Sequence, residues 1–181
     1  LSRTLIRTYA AEYLTRPDLV LAATNRRILA DTRAGLFVTA FYGILDPASG
    51  NLLYCNAGHN PPLLLRAQDR ESSQSLVKTG MALGAVEDAS WERRQARLQP
   101  HDVLVLYTDG LTDAQNSDGE FFGVKRLHQY LLETVPQQVQ HRNMVLVIQD
   151  ALFSEVRQFM GDTLQYDDMT LMILARERYR K

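Results

Sequence analysis

Along the chain, apolar positions first recur at helical spacing. They then give way to short β-branched and aromatic runs, and return to helical spacing near the end. Leu1, Leu5, Ile6, Tyr9 and Tyr13 share one face, so residue 1 already lies within an amphipathic helix, which closes near Leu14 ahead of Arg16-Pro17. A second helix is predicted over residues 18–31, with Leu19, Ala23, Arg27 and Ala30 on a common face. Residues 37–45 then read as a strand. Asp46-Pro47-Ala48-Ser49-Gly50 is a turn in every residue and residues 51–56 resume the strand, which makes a hairpin. A further strand covers 61–66, and the polar stretch 68–74 reads as an exposed loop.

Residues 91–98, Trp-Glu-Arg-Arg-Gln-Ala-Arg-Leu, read as an edge strand with one polar face, and Gln99-Pro100-His101-Asp102 turns it into the apolar strand 103–107. Two helices follow, over about 124–135 and 143–160. In the second, Val147, Ala151, Ser154 and Gln158 form a stripe that Leu146, Ile148, Leu152 and Val156 widen. The last strand is 169–175. Helix pairs around a block of antiparallel strands predict an α+β layered sandwich. No repeat or boundary divides it, so residues 1–181 read as a single domain.

Composition changes this picture little. The chain has 181 residues, 45% hydrophobic and 23% charged, with a formal net charge of −1, so nothing draws it as a whole to nucleic acid or to an acidic membrane. The basic run Arg176-Glu177-Arg178-Tyr179-Arg180-Lys181 reads as a solvated tail or domain edge. No apolar stretch approaches the roughly 20 residues a membrane span needs, and no signal peptide opens the chain. Cys55 is the sole cysteine, which excludes an intrachain disulfide and favours a reducing, cytoplasmic setting. Because the first residue already belongs to a helix, the chain is expected to be a piece of a longer protein.

The chemistry concentrates in two acidic stretches. Thr108-Asp109-Gly110-Leu111-Thr112-Asp113 follows the strand 103–107, and Tyr166-Asp167-Asp168-Met169-Thr170 leads into the last strand. Carboxylates at the ends of apolar strands are costly to desolvate unless a positive group neutralises them, and hard divalent cations suit all-oxygen donors. Should Asp109 and Asp167 converge to about 4 Å, their repulsion is on the order of 4 kcal/mol at an effective dielectric of 20. Such a pair needs a cation or keeps a proton. The bland alternative for either stretch is a surface turn rich in Asp and Gly. A second conspicuous loop, Asn56-Ala57-Gly58-His59-Asn60-Pro61-Pro62, carries a histidine more often structural than catalytic. A cysteine-phosphatase role for Cys55 fails because Pro61 stands where that chemistry needs arginine. His101, His128 and His141 lack ligand spacing, and neither a Walker loop nor a G-x-S-x-G elbow is present.

Six motifs in order carry a family resemblance: residues 37–43 with Leu45-Asp46-Pro47, residues 54–62, Leu83-Gly84, residues 107–114, Phe122-Gly123, and Asp167-Asp168-Met169-Thr170. Their succession resembles the bacterial SpoIIE/RsbU branch of the PPM (type 2C) metal-dependent protein serine/threonine phosphatases. The resemblance implies an α-β-β-α four-layer sandwich with a two-metal Mn²⁺ or Mg²⁺ site in the cleft between its sheets. It casts Asp109 and Asp167 as catalytic carboxylate ligands of one metal, and Asp113 as the second acid of a D-G-x-x-D pattern serving a weaker, additional metal. The branch also carries upstream G-D-x-x-D and D-V-x-G-[HK]-G strands whose acids bridge both metals. Neither is in this sequence, so the domain is expected to be N-terminally truncated. The implied reaction is hydrolysis of phosphoserine or phosphothreonine on a regulatory protein, such as an anti-sigma-factor antagonist, by hydroxide held on the two metals. A cytoplasmic signalling protein with an upstream sensor or receiver domain is implied, with no nucleic-acid or membrane contact and with a homodimer as an allowed assembly. Two rival readings are a degenerate phosphatase fold that binds a partner without turnover, and a metal-dependent hydrolase of small phosphate esters.

Overall fold

The computed structural model describes residues 1–31, 35–67, 72–138 and 143–177. In chain order its elements are α1 (Ser2–Glu12), α2 (Pro17–Asp31), β1 (Ala40–Leu45), β2 (Asn51–Ala57), β3 (Leu63–Leu65), β4 (Ser73–Ser75), β5 (Arg94–Arg97), β6 (Val103–Tyr107), α3 (Asp109–Thr112), α4 (Gly123–Gln138), α5 (Met144–Met160) and β7 (Leu171–Ala175). They fall into two compact units, Leu1–Pro61 with Leu76–Arg97, and Pro62–Ser75 with Leu98–Lys181. Among the described residues, no helix is long and apolar enough to cross a membrane.

In the first unit, α2 begins at Pro17, where a missing N–H costs nothing, and Arg16 closes a fork on Asp18 at 2.7 and 3.1 Å. The buried face of α2 is Val20, Leu21, Ala23, Thr24, Asn25 and Ile28. Of the predicted face only Ala23 is buried, while Arg27 is exposed and pairs with Asp31 at 2.6 Å. The pattern misleads because two polar residues take core positions with their hydrogen bonds met inside the protein. The Thr24 hydroxyl donates to Val20 O at 2.8 Å. The Asn25 amide donates to Val86 O at 2.9 Å and accepts from Gly84 N at 2.7 Å. Strands β1, β2 and β5 form an antiparallel sheet in that order, with Ala40 opposite Ala57 and Leu45 opposite Leu52. Residues 37–39 do not extend β1, because Val38 exchanges both backbone bonds with Leu83 instead. Leu21, Ile28, Cys55, Ala57, Leu83 and Trp91 make a core against which Leu5 of α1 packs.

The second unit holds an antiparallel sheet ordered β4-β3-β6-β7. The predicted exposed loop 68–74 lies partly outside the described residues, yet Ser73–Ser75 pairs with Leu63–Leu65 as β4. A polar edge strand has no apolar alternation to announce it. Helix α4 continues past residue 135 and carries Pro136 in its last turn. In α5 the buried stripe is Met144, Ile148, Leu152, Val156 and Met160, whereas Ser154 and Gln158 of the predicted stripe are exposed. The buried stripe lies one residue, about 100°, around the helix from that one; its Ile148, Leu152 and Val156 are among the residues read as widening the apolar surface, and it shares one core cluster with Val103, Val105, Leu127 and Leu131. At the base of β6, buried Asp102 accepts from Arg66 Nη1 at 2.9 Å, Ala67 N at 3.0 Å and Gln99 N at 2.9 Å, and so ties β3 to the turn. Of the basic run at the end, residues 178–181 lie outside the described residues.

Candidate functional site

The site begins with strand register. Tyr107 of β6 faces Leu171 of β7, so the segments beyond both strand ends leave the sheet side by side. Thr108 N donates to Thr170 O at 3.1 Å, Thr170 N donates to the Thr108 hydroxyl at 2.9 Å, and that hydroxyl donates to Asp168 O at 3.1 Å. The chain then turns at once into α3, where Leu111 N reaches Thr108 O at 3.2 Å and Asp113 N reaches Asp109 O at 2.7 Å. The expected acidic loop is thus a single helical turn.

Gly110 is what lets the two segments meet. A Cβ built there would stand 2.4 Å from Asp168 O and 2.9 Å from Asp168 C, closer than any side chain can approach. Asp109 and Asp167 therefore sit on backbone segments in direct contact, each one residue from the point of contact. Asp109 Oδ1 accepts from Gly110 N at 3.2 Å, and Asp167 Oδ1 accepts from Asp168 N at 2.7 Å. Among the described residues, neither Oδ2 has a hydrogen-bond partner, and no cation pairs with Asp109, Asp113, Asp167 or Asp168. The Thr112 hydroxyl lies 3.4 Å from Asp113 Oδ1.

Desolvation of the acids, expected from their strand-end positions, is not observed. All four carboxylates are exposed, because the apolar strands stop at Tyr107 and Leu171 and the acids lie beyond them in water. No desolvation cost calls for a cation; what remains is donor chemistry, two hard-oxygen ligands with spare lone pairs. Among the described residues no three His, Cys, Asp or Glu side chains gather as a metal cage. The pair fits a divalent cation as a partial donor set, with backbone oxygens, water or further chain left to complete the roughly six ligands such ions take.

The loop at residues 56–62 is built differently. Asn56 is buried: its N–H donates to Thr79 Oγ1 at 2.9 Å and its side-chain amide to Leu76 O at 3.2 Å, while Oδ1 is buried without a partner among the described residues. His59 Nδ1 stands 3.4 Å from the Thr39 hydroxyl. Cys55 is fully buried and burial pushes its thiol up to about 11, which agrees with discarding it as a nucleophile. His128 meets the Ser73 hydroxyl, His101 occupies a turn with φ 73°, and His141 lies outside the described residues. Sequence reasoning picked out Asp109, Asp113 and Asp167 but passed over Thr108. Its signal was a hydroxyl residue standing between the strand end at Tyr107 and an Asp-Gly pair.

The sequence matches the family described as Stage II sporulation protein E (SpoIIE) over residues 1–177. It is 32% identical over 141 residues to protein IcfG of Synechocystis sp., covering 78% of this chain and 21% of that protein. It is 28% identical over 161 residues to the phosphoserine phosphatase RsbU of Bacillus subtilis, covering 89% and 45%. The chain thus spans less than half the length of either curated relative. Among solved structures, the SiaA-PP2C domain of Pseudomonas aeruginosa superposes with TM-score 0.81 at 21% identity, over 97% of this chain and 67% of that one. This likeness shows the fold, and the expectation of a PPM-type α+β architecture with antiparallel sheets holds. More distant structures of the same fold include a PstP catalytic domain in complex with 2 manganese ions and RsbX in complex with magnesium.

Proposed function

This chain belongs to the SpoIIE family, and on that premise we propose that residues 1–181 are the greater part of one metal-dependent protein serine/threonine phosphatase domain. Its substrate is phosphoserine or phosphothreonine on a bacterial regulatory protein, such as an anti-sigma-factor antagonist. The observation that carries the reading is the backbone contact at Gly110, which holds the segments of Asp109 and Asp167 together, each carboxylate keeping one oxygen that no described residue engages. The phosphoserine phosphatase RsbU among the relatives, and the manganese and magnesium complexes among the structures of this fold, support it.

In this reading Asp109 and Asp167 are the catalytic carboxylates that bind one Mn²⁺ or Mg²⁺ of a two-ion site, and Asp113 serves a weaker, additional ion. Bound divalent ions supply an acidified water and neutralise phosphate oxygens. The chain's part is positional. The amides of Gly110 and Asp168 each hold one carboxylate oxygen, which leaves the other for a ligand. Exposed carboxylates without paired cations repel a phosphate dianion, so substrate binding itself requires the metal. A cytoplasmic parent protein with an upstream sensor or receiver domain, able to form a homodimer, is the setting we propose.

The test is hydrolysis of a phosphoserine peptide by the full-length protein with Mn²⁺ and with chelator. Turnover that chelator abolishes, and that Asp109→Asn lowers by about a hundredfold or more, is expected; Mn²⁺-independent turnover contradicts the proposal. One observation favours a second reading. Two acids that gather no third side-chain ligand among the described residues suit a phosphatase fold that binds a partner without turnover. Partner capture by the full-length protein, with no hydrolysis at any Mn²⁺ concentration, would select it.

A further inference from the structure

We propose that the Thr108 hydroxyl is the positioning group that fixes the segments carrying Asp109 and Asp167 at the separation a shared cation needs. This inference rests on the phosphatase reading above. In an antiparallel ladder, Thr170 N would be expected to reach the main-chain oxygen of Thr108, returning the bond that Thr108 N gives to Thr170 O at 3.1 Å. That carbonyl is already engaged: it accepts from Leu111 N at 3.2 Å, because the chain has turned into α3. The side-chain oxygen takes its place and accepts from Thr170 N at 2.9 Å. The single hydroxyl proton then goes to Asp168 O at 3.1 Å. The bonds the hydroxyl makes thus run to the 168–170 segment, one accepted and one donated.

The arrangement lets the backbone leave the sheet at Asp109 while staying tied to the segment that bears Asp167. Asp168 O is held from two sides, by the Thr108 hydroxyl and by the close approach of Gly110, where a Cβ would stand 2.4 Å away. Asp109 follows Thr108 directly and Asp167 precedes Asp168 directly, so slippage at this latch moves one ligand against the other. Outer-shell groups that orient ligands typically change metal affinity about 10–100-fold when removed.

Three variants of the full-length protein test this: Thr108→Val, which keeps the shape and removes both bonds; Thr108→Ser, which keeps the hydroxyl; and Gly110→Ala, which keeps the hydroxyl and forces Asp168 away. The readouts are Mn²⁺ affinity by electron paramagnetic resonance and amide exchange of residues 168–170 in metal-free protein. Thr108→Val is expected to weaken Mn²⁺ binding about 10–100-fold and to speed exchange at Thr170. Thr108→Ser should stay within about threefold of wild type, and Gly110→Ala should weaken binding as Thr108→Val does. Unchanged Mn²⁺ affinity in folded Thr108→Val, or loss in Thr108→Ser equal to that in Thr108→Val, overturns the latch. If Thr108→Val does not fold, unchanged affinity in Gly110→Ala overturns it, and weakened affinity there with wild-type affinity in Thr108→Ser supports it. Asp109→Asn separates the two levels. Binding lost in Asp109→Asn but kept in Thr108→Val defeats the latch alone, whereas binding unaffected by Asp109→Asn defeats the phosphatase site and the latch with it.

Discussion

Strand β6 carries an aspartate just beyond each end, and the two are used in opposite ways. Asp102, before the strand, is buried and accepts from Arg66, from Ala67 N and from Gln99 N. Asp109, after it, is exposed and among the described residues accepts only the neighbouring Gly110 amide at 3.2 Å. A buried carboxylate is tolerated only when its oxygens are engaged, so Asp102 serves to hold β3 and the 98–102 turn together. An exposed carboxylate with a spare oxygen contributes little to the fold and stays available to a ligand. Residue type is the same and each acid lies within two residues of the strand; the number of internal donors separates structure from chemistry.

The sharpest way to break this comparison is to truncate both acids. Asp102→Ala should destabilise the protein by about 3 kcal/mol, since it removes the buried acceptor that Arg66 Nη1 and the amides of Ala67 and Gln99 share. Asp109→Ala should stay within about 0.5 kcal/mol in metal-free protein. Chemical denaturation measures both, and equal losses would erase the distinction. A mild Asp102→Ala would show that the buried pair is dispensable.

A second test asks whether another buried group is held by the fold as firmly as Asp102. Burial raises the Cys55 thiol from 9.0 to about 11. The folded value lies above the unfolded one, so the thiol's contribution to stability is complete below pH 9 and is lost as pH rises toward 11. Melting temperature should therefore fall across that window, and fall less in Cys55→Ala relative to its own neutral value. At pH 8 the native thiol should resist alkylation until the protein unfolds; rapid labelling of native protein would show that Cys55 is not held as buried.

The smallest effect is expected at His59, whose loop belongs with the structural end of the comparison. His59→Ala should cost about 1 kcal/mol of stability and leave turnover per folded molecule within a few-fold. Unchanged melting with a hundredfold loss of turnover would move His59 to the chemical side.

These contrasts also explain what the sequence could disclose. Hairpin 40–57, strands β6 and β7 and the helix pairs were legible because apolar periodicity reports burial directly. The acids 109, 113 and 167 were legible because acidic stretches at the ends of apolar strands are a local signal, and the two motifs that hold them are reinforced by four others. The buried face of α2 was not, since Thr24 and Asn25 hold core positions through hydrogen bonds that periodicity does not report, those of Asn25 to residues distant in sequence; in α5 the sequence pointed to Ile148, Leu152 and Val156 but also to Ser154 and Gln158, which are exposed. Asp102 read as a turn residue because its donors include Arg66 and Ala67, far back in the chain. The exposure of the four site acids went against the expectation for a related reason: a strand's apolar run marks where burial ends but not how sharply.

The most direct measurement is calorimetric titration of Mn²⁺ into the full-length protein and its Asp109→Asn and Asp167→Asn variants. The account predicts clear binding by the parent protein and lost or much weaker binding in each variant, with all three folded alike. Unchanged Mn²⁺ binding in both variants would contradict it.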